Sequence, residues 1–192
     1  MIRYPFLILF YTIILSSFAC KNTDHHFNKN SKIYGCDLIS DSLVILDISN
    51  FKNFKNLYKS VENISCSEGV ACVALDTNDN SSILKFSNPC WQNTSCIHVT
   101  RNNIFQIIDD SIIFEKKYPM DSLQILLQKH YKNEGKLPQF SDDPDKVIVS
   151  IRYESLSLSN LKPILSEITN AYDGIENSEC LMVWLDGSKL KE

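Results

Sequence analysis

The chain has 192 residues, a formal net charge of −4, 44% hydrophobic residues and 22% charged residues, values ordinary for one globular domain or a domain with an added lobe. The acidic balance argues against nucleic-acid binding, because such proteins need clustered Lys and Arg to displace counterions from phosphates. Only five glycines are present and they lie far apart, so the sequence contains no phosphate-binding or dinucleotide-binding loop.

Residues 1–19 have the three parts of a secretory signal peptide. Arg3 supplies a positive charge, an apolar stretch follows it, and the small residues Ser17 and Ala19 stand three positions and one position before the cut. As a helix, residues 5–19 would rise only about 22 Å, which is short of the roughly 30 Å hydrocarbon core of a bilayer. We therefore predict a signal peptide that is cut after Ala19, and not a permanent membrane span.

The residue after this boundary, Cys20, is the predicted lipid anchor. The boundary resembles a bacterial lipobox, where the cysteine after the cut receives a diacylglycerol and acyl chains such as palmitate. Ser17 stands where a lipobox usually has Leu, so ordinary cleavage that leaves Cys20 unmodified is the alternative. The odd total of seven cysteines favours lipidation, because it leaves an even set. Residues 20–31 are polar without periodicity, which predicts a flexible tether.

The other cysteines predict a disulfide framework in an oxidising compartment. They are Cys36, Cys66, Cys72, Cys90, Cys96 and Cys180. Among the pairings that six cysteines allow, we predict the two local pairs Cys66–Cys72 and Cys90–Cys96 and the long-range pair Cys36–Cys180. A zinc site is disfavoured, because neither local couple has the short gap of a zinc knuckle and export favours oxidation.

Residues 32–102 predict an N-terminal α/β lobe that contains disulfides. Residues 43–48 and 70–75 are rich in β-branched or apolar side chains and predict two strands. Apolar residues recur at helical spacing between them. They are Phe51, Phe54, Tyr58 and Val61. A turn-rich stretch is expected from Asp76 to Ser82.

The second half begins with a predicted hairpin at residues 104–114. Asp121 and Gln124 then form a capping box at the start of a helix, with Met120 stapled onto Ile125. The inward stripe of this helix has five predicted members. They are Leu123, Leu126, Leu127, His130 and Tyr131.

The last part of the chain predicts a strand–helix–strand unit. Residues 146–151 form a nearly continuous apolar strand, as in a sheet covered on both faces. Ser159 or Asn160 caps the next helix, Pro163 lies in its first turn, and residues 181–185 form the last strand. Such units imply right-handed crossovers. The predicted fold class is α/β (α+β): a small mixed sheet with helices packed on it, stabilised by disulfides.

From about residue 103 to 186, the order of elements and some residues resemble a known family. Residues 149–154, Val-Ser-Ile-Arg-Tyr-Glu, end the strand between the two predicted helices. The order of hairpin, helix, loop, strand ending in "I-R-x-D", helix and strand is similar to that of the periplasmic domain of the ExbD/TolR family, with Glu154 in place of the Asp. The resemblance implies that residues 103–192 form a small domain that docks on envelope proteins or near the cell wall.

One departure limits what the resemblance implies. Members of the family use an uncleaved membrane helix with an Asp that takes part in proton-driven work. Residues 4–19 contain no acidic residue, and an ionisable group inside the membrane is what a proton path requires. The energising role is therefore not implied for this chain.

Trp91 is the candidate binding residue. It follows Cys90 in a loop with Gln92 and Asn93, and a rigid aromatic side chain on a disulfide-pinned loop anchors a partner at low entropic cost. The alternative is a Trp91 that packs on its neighbouring disulfide.

No catalytic, metal or cofactor site is expected. Residues 76–80 have oxygen ligands at alternate positions, as at the start of a calcium loop, but Ser81 and Ser87 stand where Gly and a bidentate Glu are needed. His130 has no acidic or cysteine partner at a recognisable spacing. A solvated turn and a core histidine are the predicted roles.

These observations predict a non-enzymatic exported lipoprotein of the cell envelope, facing the periplasm or the cell surface. It would be held to the membrane through Cys20 and would contact an envelope protein or peptidoglycan. A narrower alternative is a protective, immunity-type lipoprotein that binds one foreign protein. An enzyme alternative is an envelope hydrolase or metal-dependent enzyme whose site is assembled from Asp109, Asp110 and Glu154. Those carboxylates lining one cleft together with a His would favour it.

Overall fold

The predicted strands and helices form a mixed α+β structure in the computed structural model, which describes residues 32–36, 42–77, 80–91, 99–154, 158–175 and 180–188. Three helices lie in these ranges: α1 Phe54–Cys66, α2 Leu123–Tyr131 and α3 Leu161–Asp173. The strands are β1 Lys32–Tyr34, β2 Leu43–Leu46, β3 Val70–Thr77, β4 Asn80–Lys85, β5 Ile104–Ile108, β6 Ser111–Phe114, β7 Lys116–Pro119, β8 Ile148–Arg152 and β9 Met182–Leu185. None of the described helices is long and apolar enough to cross a bilayer.

The strands form two mixed sheets, in the orders β1-β4-β3-β2 and β7-β6-β5-β8-β9. In the first sheet α1 connects the parallel strands β2 and β3, and β4 then runs antiparallel to β3. In the second sheet β5, β6 and β7 form a meander, α2 leads to β8 alongside β5, and α3 connects the parallel strands β8 and β9. The predicted fold class, with its strand–helix–strand units and disulfides, is confirmed.

The prediction is wrong in several details, and two of them concern strands. The stretch from Asp76 to Ser82 is mostly strand, because β3 continues to Thr77, which pairs with Asn80 of β4. The sequence also gave no sign of β7, whose residues pair with β6 although two of its four side chains are lysines. Both errors arise where hydrogen bonding to a neighbouring strand outweighs weak local β propensity.

The two sheets meet along one edge of β4. β1 lies beside the first part of this edge, and β9 lies beside its continuation. β1 pairs with β4 on this edge. Beyond the end of β4, the Ser87 N–H donates to the Val183 carbonyl over 2.9 Å, and the buried Asn88 side chain exchanges hydrogen bonds of 2.8 and 2.9 Å with the backbone of Leu185. The continuation of β4 therefore pairs with β9 and links the sheets.

The α1 helix begins one turn later than its predicted apolar stripe. The Asn53 side chain accepts a hydrogen bond from the Asn56 N–H over 3.0 Å and caps the helix. Phe54, Leu57 and Val61 are buried, whereas the predicted member Tyr58 is half-buried. Tyr58 packs against the rim of the main hydrophobic cluster and lies against Gly187, just after β9, while Leu57 takes the fully buried position.

The predicted capping box and hydrophobic staple of α2 are wrong. A 3-10 turn at Met120–Ser122 precedes the helix, and the N-cap residue makes no side-chain capping bond. Ile125, the predicted staple partner, is 61% exposed. Gln124 lies against Gly174 at the end of α3, where an added Cβ would come within 2.8 Å of its amide nitrogen. All five predicted members of the inward stripe of α2 are nevertheless buried.

One hydrophobic cluster unites both sheets with the three helices. It contains Phe54 of α1, Leu127 of α2 and Leu165 of α3, together with inward side chains of both sheets. Because side chains alternate along a strand, the neighbours of these inward residues point to the opposite face. On that face Val70, Cys72 and Ile83 form a separate small cluster. All five residues of β8 are buried, in agreement with its continuous apolar run.

Replacing Cys36 and Cys180 together with alanine should lower the free energy of unfolding by ~2–4 kcal/mol, because their disulfide closes a long loop in the unfolded chain. Denaturant titration in a buffer without added oxidant or reductant measures the change in the free energy of unfolding. The Cys72→Ala variant is the control, since it removes a thiol and leaves both disulfides in place. A double variant that unfolds at the wild-type denaturant concentration would contradict the assignment.

Candidate binding surface

The structure contains two disulfides among the described residues. Cys36 pairs with Cys180, as predicted, with their Cα atoms 4.7 Å apart. The predicted local pairs Cys66–Cys72 and Cys90–Cys96 are wrong, because Cys66 pairs with Cys90 at the same Cα separation of 4.7 Å. Cys20 and Cys96 lie outside the described residues.

Cys72 is a buried thiol and not a disulfide cysteine. Cys66 ends α1, which packs on the inner face of the first sheet, whereas Cys72 belongs to the small cluster on the opposite face. The sheet therefore separates two cysteines that are close in sequence. Burial raises the pKa of the Cys72 thiol to about 11, so it stays protonated and weakly nucleophilic near neutral pH.

Trp91 lies beside a second tryptophan that the sequence did not single out. Trp91 is 45% exposed and follows Cys90, which the disulfide fixes to the end of α1. Its ring meets the ring of Trp184 edge to face, with centroids 5.9 Å apart and an interplanar angle of 87°. Aromatic pairs prefer this arrangement. We call Trp91 and Trp184 the Trp pair.

The Trp pair lies on the face of the second sheet that is opposite to the helices. Val183 and Leu185 point into the main cluster, so Trp184 between them points the other way. Across the sheet Trp184 is in register with Ser150, which is in register with Gln106. On this face the Trp pair therefore adjoins Ser150, which is buried at 7% exposure, and the half-buried Gln106.

The acidic residues of the enzyme alternative lie at a second place, the carboxyl ends of the parallel strands. The Arg152 side chain is 9% exposed there, with guanidinium nitrogens 3.3 Å from a Glu154 oxygen and 3.5 Å from an Asp186 oxygen. Asp109 accepts a hydrogen bond of 3.0 Å from the Glu154 N–H. The structure therefore brings Asp109 and Glu154 together, while Asp110 accepts a hydrogen bond from Ser111 instead.

This carboxyl-end cluster holds strand ends together, and His130, the one histidine that the structure describes, lies elsewhere in the core. Asp186 also accepts a hydrogen bond of 2.8 Å from the Ser188 N–H, so its carboxylate orders the chain after β9. Within the described ranges no group of three or more His, Cys, Asp or Glu side chains is placed to hold a metal ion. The cleft combining carboxylates with a histidine, which would favour a hydrolase, is not formed by these residues.

His130 is enclosed by phenylalanine rings inside the core. It is 1% exposed, and Phe105, Phe114 and Phe140 meet its ring edge to face at centroid distances of 5.3, 5.4 and 5.0 Å. Neither ring nitrogen has a hydrogen-bond partner among the described residues. Burial lowers the pKa of His130 to about 4, so the imidazole is neutral near pH 7. The predicted structural role agrees with this environment.

An open cleft of about 440 Å³ lies between the turn after β2 and the start of α3. Its lining includes Asp47, Phe51, Ser159 and Lys162. The Asp47 carboxylate accepts hydrogen bonds from both the N–H and the hydroxyl of Ser49, so it caps the 3-10 turn beside the cleft. The described residues offer no histidine or cysteine in this cleft.

Comparison with protein-family models, with curated proteins and with solved structures found no match to this chain. The candidate sites are therefore defined by the geometry alone. Sequence reasoning missed Trp184, although the alternation of inward and outward side chains in β9 is a signal that places it opposite to Val183 and Leu185. It also missed Asp186, although this residue follows a parallel strand as Asp109 does.

Lowering the pH should destabilise the wild-type protein through His130. In the unfolded chain this group binds a proton below about pH 6.5, whereas in the folded protein it binds one only near pH 4. The free energy of unfolding should therefore fall as the pH falls through this window, by ~3 kcal/mol in total. Denaturant titrations between pH 4 and pH 7 would measure the slope.

The His130→Phe variant is the matched comparison, since phenylalanine has no proton to bind and suits the aromatic surroundings. Carboxylates contribute to the pH dependence of the free energy of unfolding in both proteins. The difference between the two slopes therefore gives the contribution of His130. Equal slopes in the two proteins would contradict the account of His130.

Proposed function

We propose that this protein is an exported, lipid-anchored domain of the cell envelope that acts by binding an envelope protein or peptidoglycan, and not by catalysis. The disulfides carry this proposal. Cys36–Cys180 and Cys66–Cys90 join residues that are 144 and 24 positions apart in sequence, and such bonds form and persist in oxidising compartments outside the cytoplasm. The apolar stretch within residues 1–19 is the matching export signal.

Anchoring through Cys20 rests on the lipobox-like boundary and the polar tether that follows it. The odd cysteine count no longer supports it, because Cys72 is a buried thiol and four cysteines are in disulfides. Cys20 and Cys96 are the two cysteines left over, so counting does not decide between lipidation and ordinary cleavage. The sequence around Cys20 alone carries this part of the proposal.

The Trp pair is the proposed contact surface. Trp91 is nearly half exposed, yet its backbone is held by the adjacent disulfide and its ring by Trp184. A side chain that is already ordered loses little entropy when a partner covers it. Tryptophan is also among the residues that contribute most to binding energy when a partner covers them.

The order of elements in the second half supports a docking role like that inferred from the ExbD/TolR resemblance. The β5–β6 hairpin, α2, β8, α3 and β9 follow one another in the order on which the resemblance rests, with β7 as an additional strand before α2, and β5, β8 and β9 are parallel neighbours. Fold analogy is a weaker argument than a site. The proposal therefore rests mainly on the contact surface and on the disulfides.

In the native host, the full-length Cys20→Ser variant should move from the membrane fraction to the soluble envelope or culture fraction, because it lacks the thiol that receives the lipid. Fractionation followed by immunoblotting measures the distribution. The Cys72→Ala variant should stay with the membrane and serves as the control for removal of a thiol. A Cys20→Ser protein that remains membrane-bound at the wild-type level would contradict lipid anchoring.

The Trp91→Ala variant should bind its envelope partner at least about tenfold more weakly, since truncating a central aromatic anchor typically costs about 2 kcal/mol or more. Binding is measured with isolated peptidoglycan and, separately, by cross-linking in intact envelopes. Ile125→Ala is the matched control, because Ile125 is exposed on α2, away from the Trp pair. If Trp91→Ala binds isolated peptidoglycan as tightly as wild type and also cross-links as well in intact envelopes, the Trp pair is not the contact surface.

A further inference from the structure

The open cleft of about 440 Å³ lies between the two halves of the molecule. One wall contains the 3-10 turn Ile48–Asn50, which follows β2 of the first sheet, and the other is the chain that enters α3 on the second sheet. Neither tryptophan of the Trp pair lines it. Small-molecule sites are clefts of about 300–1,000 Å³, so a small ligand fits here and would touch both halves.

Hydrogen bonds and burial hold both walls of the cleft in place. On the first wall, the Phe51 N–H donates to the Ile48 carbonyl over 3.2 Å. On the second wall, the Leu161 N–H donates to the Leu158 carbonyl over 3.0 Å. Ile48 and Leu158 belong to the main hydrophobic cluster, and the half-buried Phe51 packs against it. The cleft is therefore formed before a ligand arrives, and its apolar side chains suit an apolar group.

Asp47 is the only acidic residue among the described residues that line the cleft, and the fold already uses its carboxylate. It accepts hydrogen bonds from the Ser49 N–H over 3.0 Å and from the Ser49 hydroxyl over 2.7 Å. The carboxylate is thus a structural part of the turn. Its charge disfavours a ligand that carries more than one negative charge.

Lys162 is the only cationic residue among the described residues that line the cleft. It is half-buried and takes part in none of the salt bridges that the described residues form, whereas Lys32, Lys136 and Lys146 each have a carboxylate partner. It also lies in the first turn of α3, where the helix dipole favours an anion. An ammonium group in this position is the complement of one anionic group on a ligand.

We propose that the cleft binds a small monocarboxylate with an apolar body. The Lys162 ammonium group pairs with the carboxylate of the ligand, and Phe51 and Leu158 contact its apolar part. Inorganic phosphate fits less well, because it brings more negative charge close to Asp47 and has no apolar body. This site lies apart from the Trp pair and does not depend on export or lipidation. It adds a small-molecule ligand to the proposed binding role.

The probe is phenylacetate, titrated into the isotopically labelled full-length protein in detergent and followed by the amide resonances of the protein. Those of Ser49, Phe51 and Lys162 should shift with one common, saturable dissociation constant. Phenylacetamide and inorganic phosphate are the control ligands. Each should bind at least about fivefold more weakly, because the amide lacks the charge and phosphate lacks the apolar body.

The Lys162→Gln variant keeps most of the length of the side chain and removes its charge. It should bind phenylacetate at least about fivefold more weakly, and it should bind phenylacetamide within about twofold of wild type. Lys162→Arg keeps the charge and should retain most of the affinity for phenylacetate. Lys129→Gln is the matched control, since Lys129 is an exposed lysine on α2 that does not line the cleft.

Equal binding of phenylacetate and phenylacetamide to wild type would overturn the proposal, as would wild-type affinity for phenylacetate in Lys162→Gln. Resonance shifts elsewhere with none in the cleft, or no saturable binding of phenylacetate, would also overturn it. Tighter binding of inorganic phosphate would overturn the choice of a carboxylate. If Lys162→Gln fails to fold, the control ligands and the positions of the shifts on wild type still decide. None of these results bears on Cys20 or Trp91.

Discussion

The Cys36–Cys180 disulfide joins the end of β1 to the start of β9, two strands that lie in succession along one edge of β4. This position makes it the covalent bond between the two sheets. The same junction is closed by Asn88, which bonds to the backbone of β9, and by Tyr34, whose hydroxyl donates to Asp173 at the end of α3 over 2.8 Å. The common core and the placement of the Trp pair both depend on this junction.

Much of the fold follows from periodicity in the sequence. The inward stripe of α2 and the apolar run that becomes β8 were predicted correctly, because burial of apolar side chains dominates the free energy of these elements. Predictions from local signals, such as helix caps and β propensity, were less accurate. The capping box at Asp121 was wrong, since a 3-10 turn and packing against α3 determine that helix start, and β7 depends on its pairing with β6.

The candidate surfaces were predictable only in part. Trp91 was identified because its loop contains a cysteine, but the disulfide partner predicted for that cysteine was wrong. The prediction chose partners close in sequence, whereas the first sheet separates Cys66 from Cys72. The grouping of Asp109, Arg152 and Asp186 depends on three strands being parallel neighbours, which spacing does not encode.

The central claim is that this chain folds where thiols are oxidised, with its two sheets joined covalently. Disulfide mapping of protein isolated from its native host under non-reducing conditions, with thiols alkylated before and after unfolding, tests it most directly. The account predicts linked peptides that contain Cys36 with Cys180 and Cys66 with Cys90, and a Cys72 that reacts only after unfolding. Recovery of the chain with Met1 in place and every one of these cysteines reduced would contradict it.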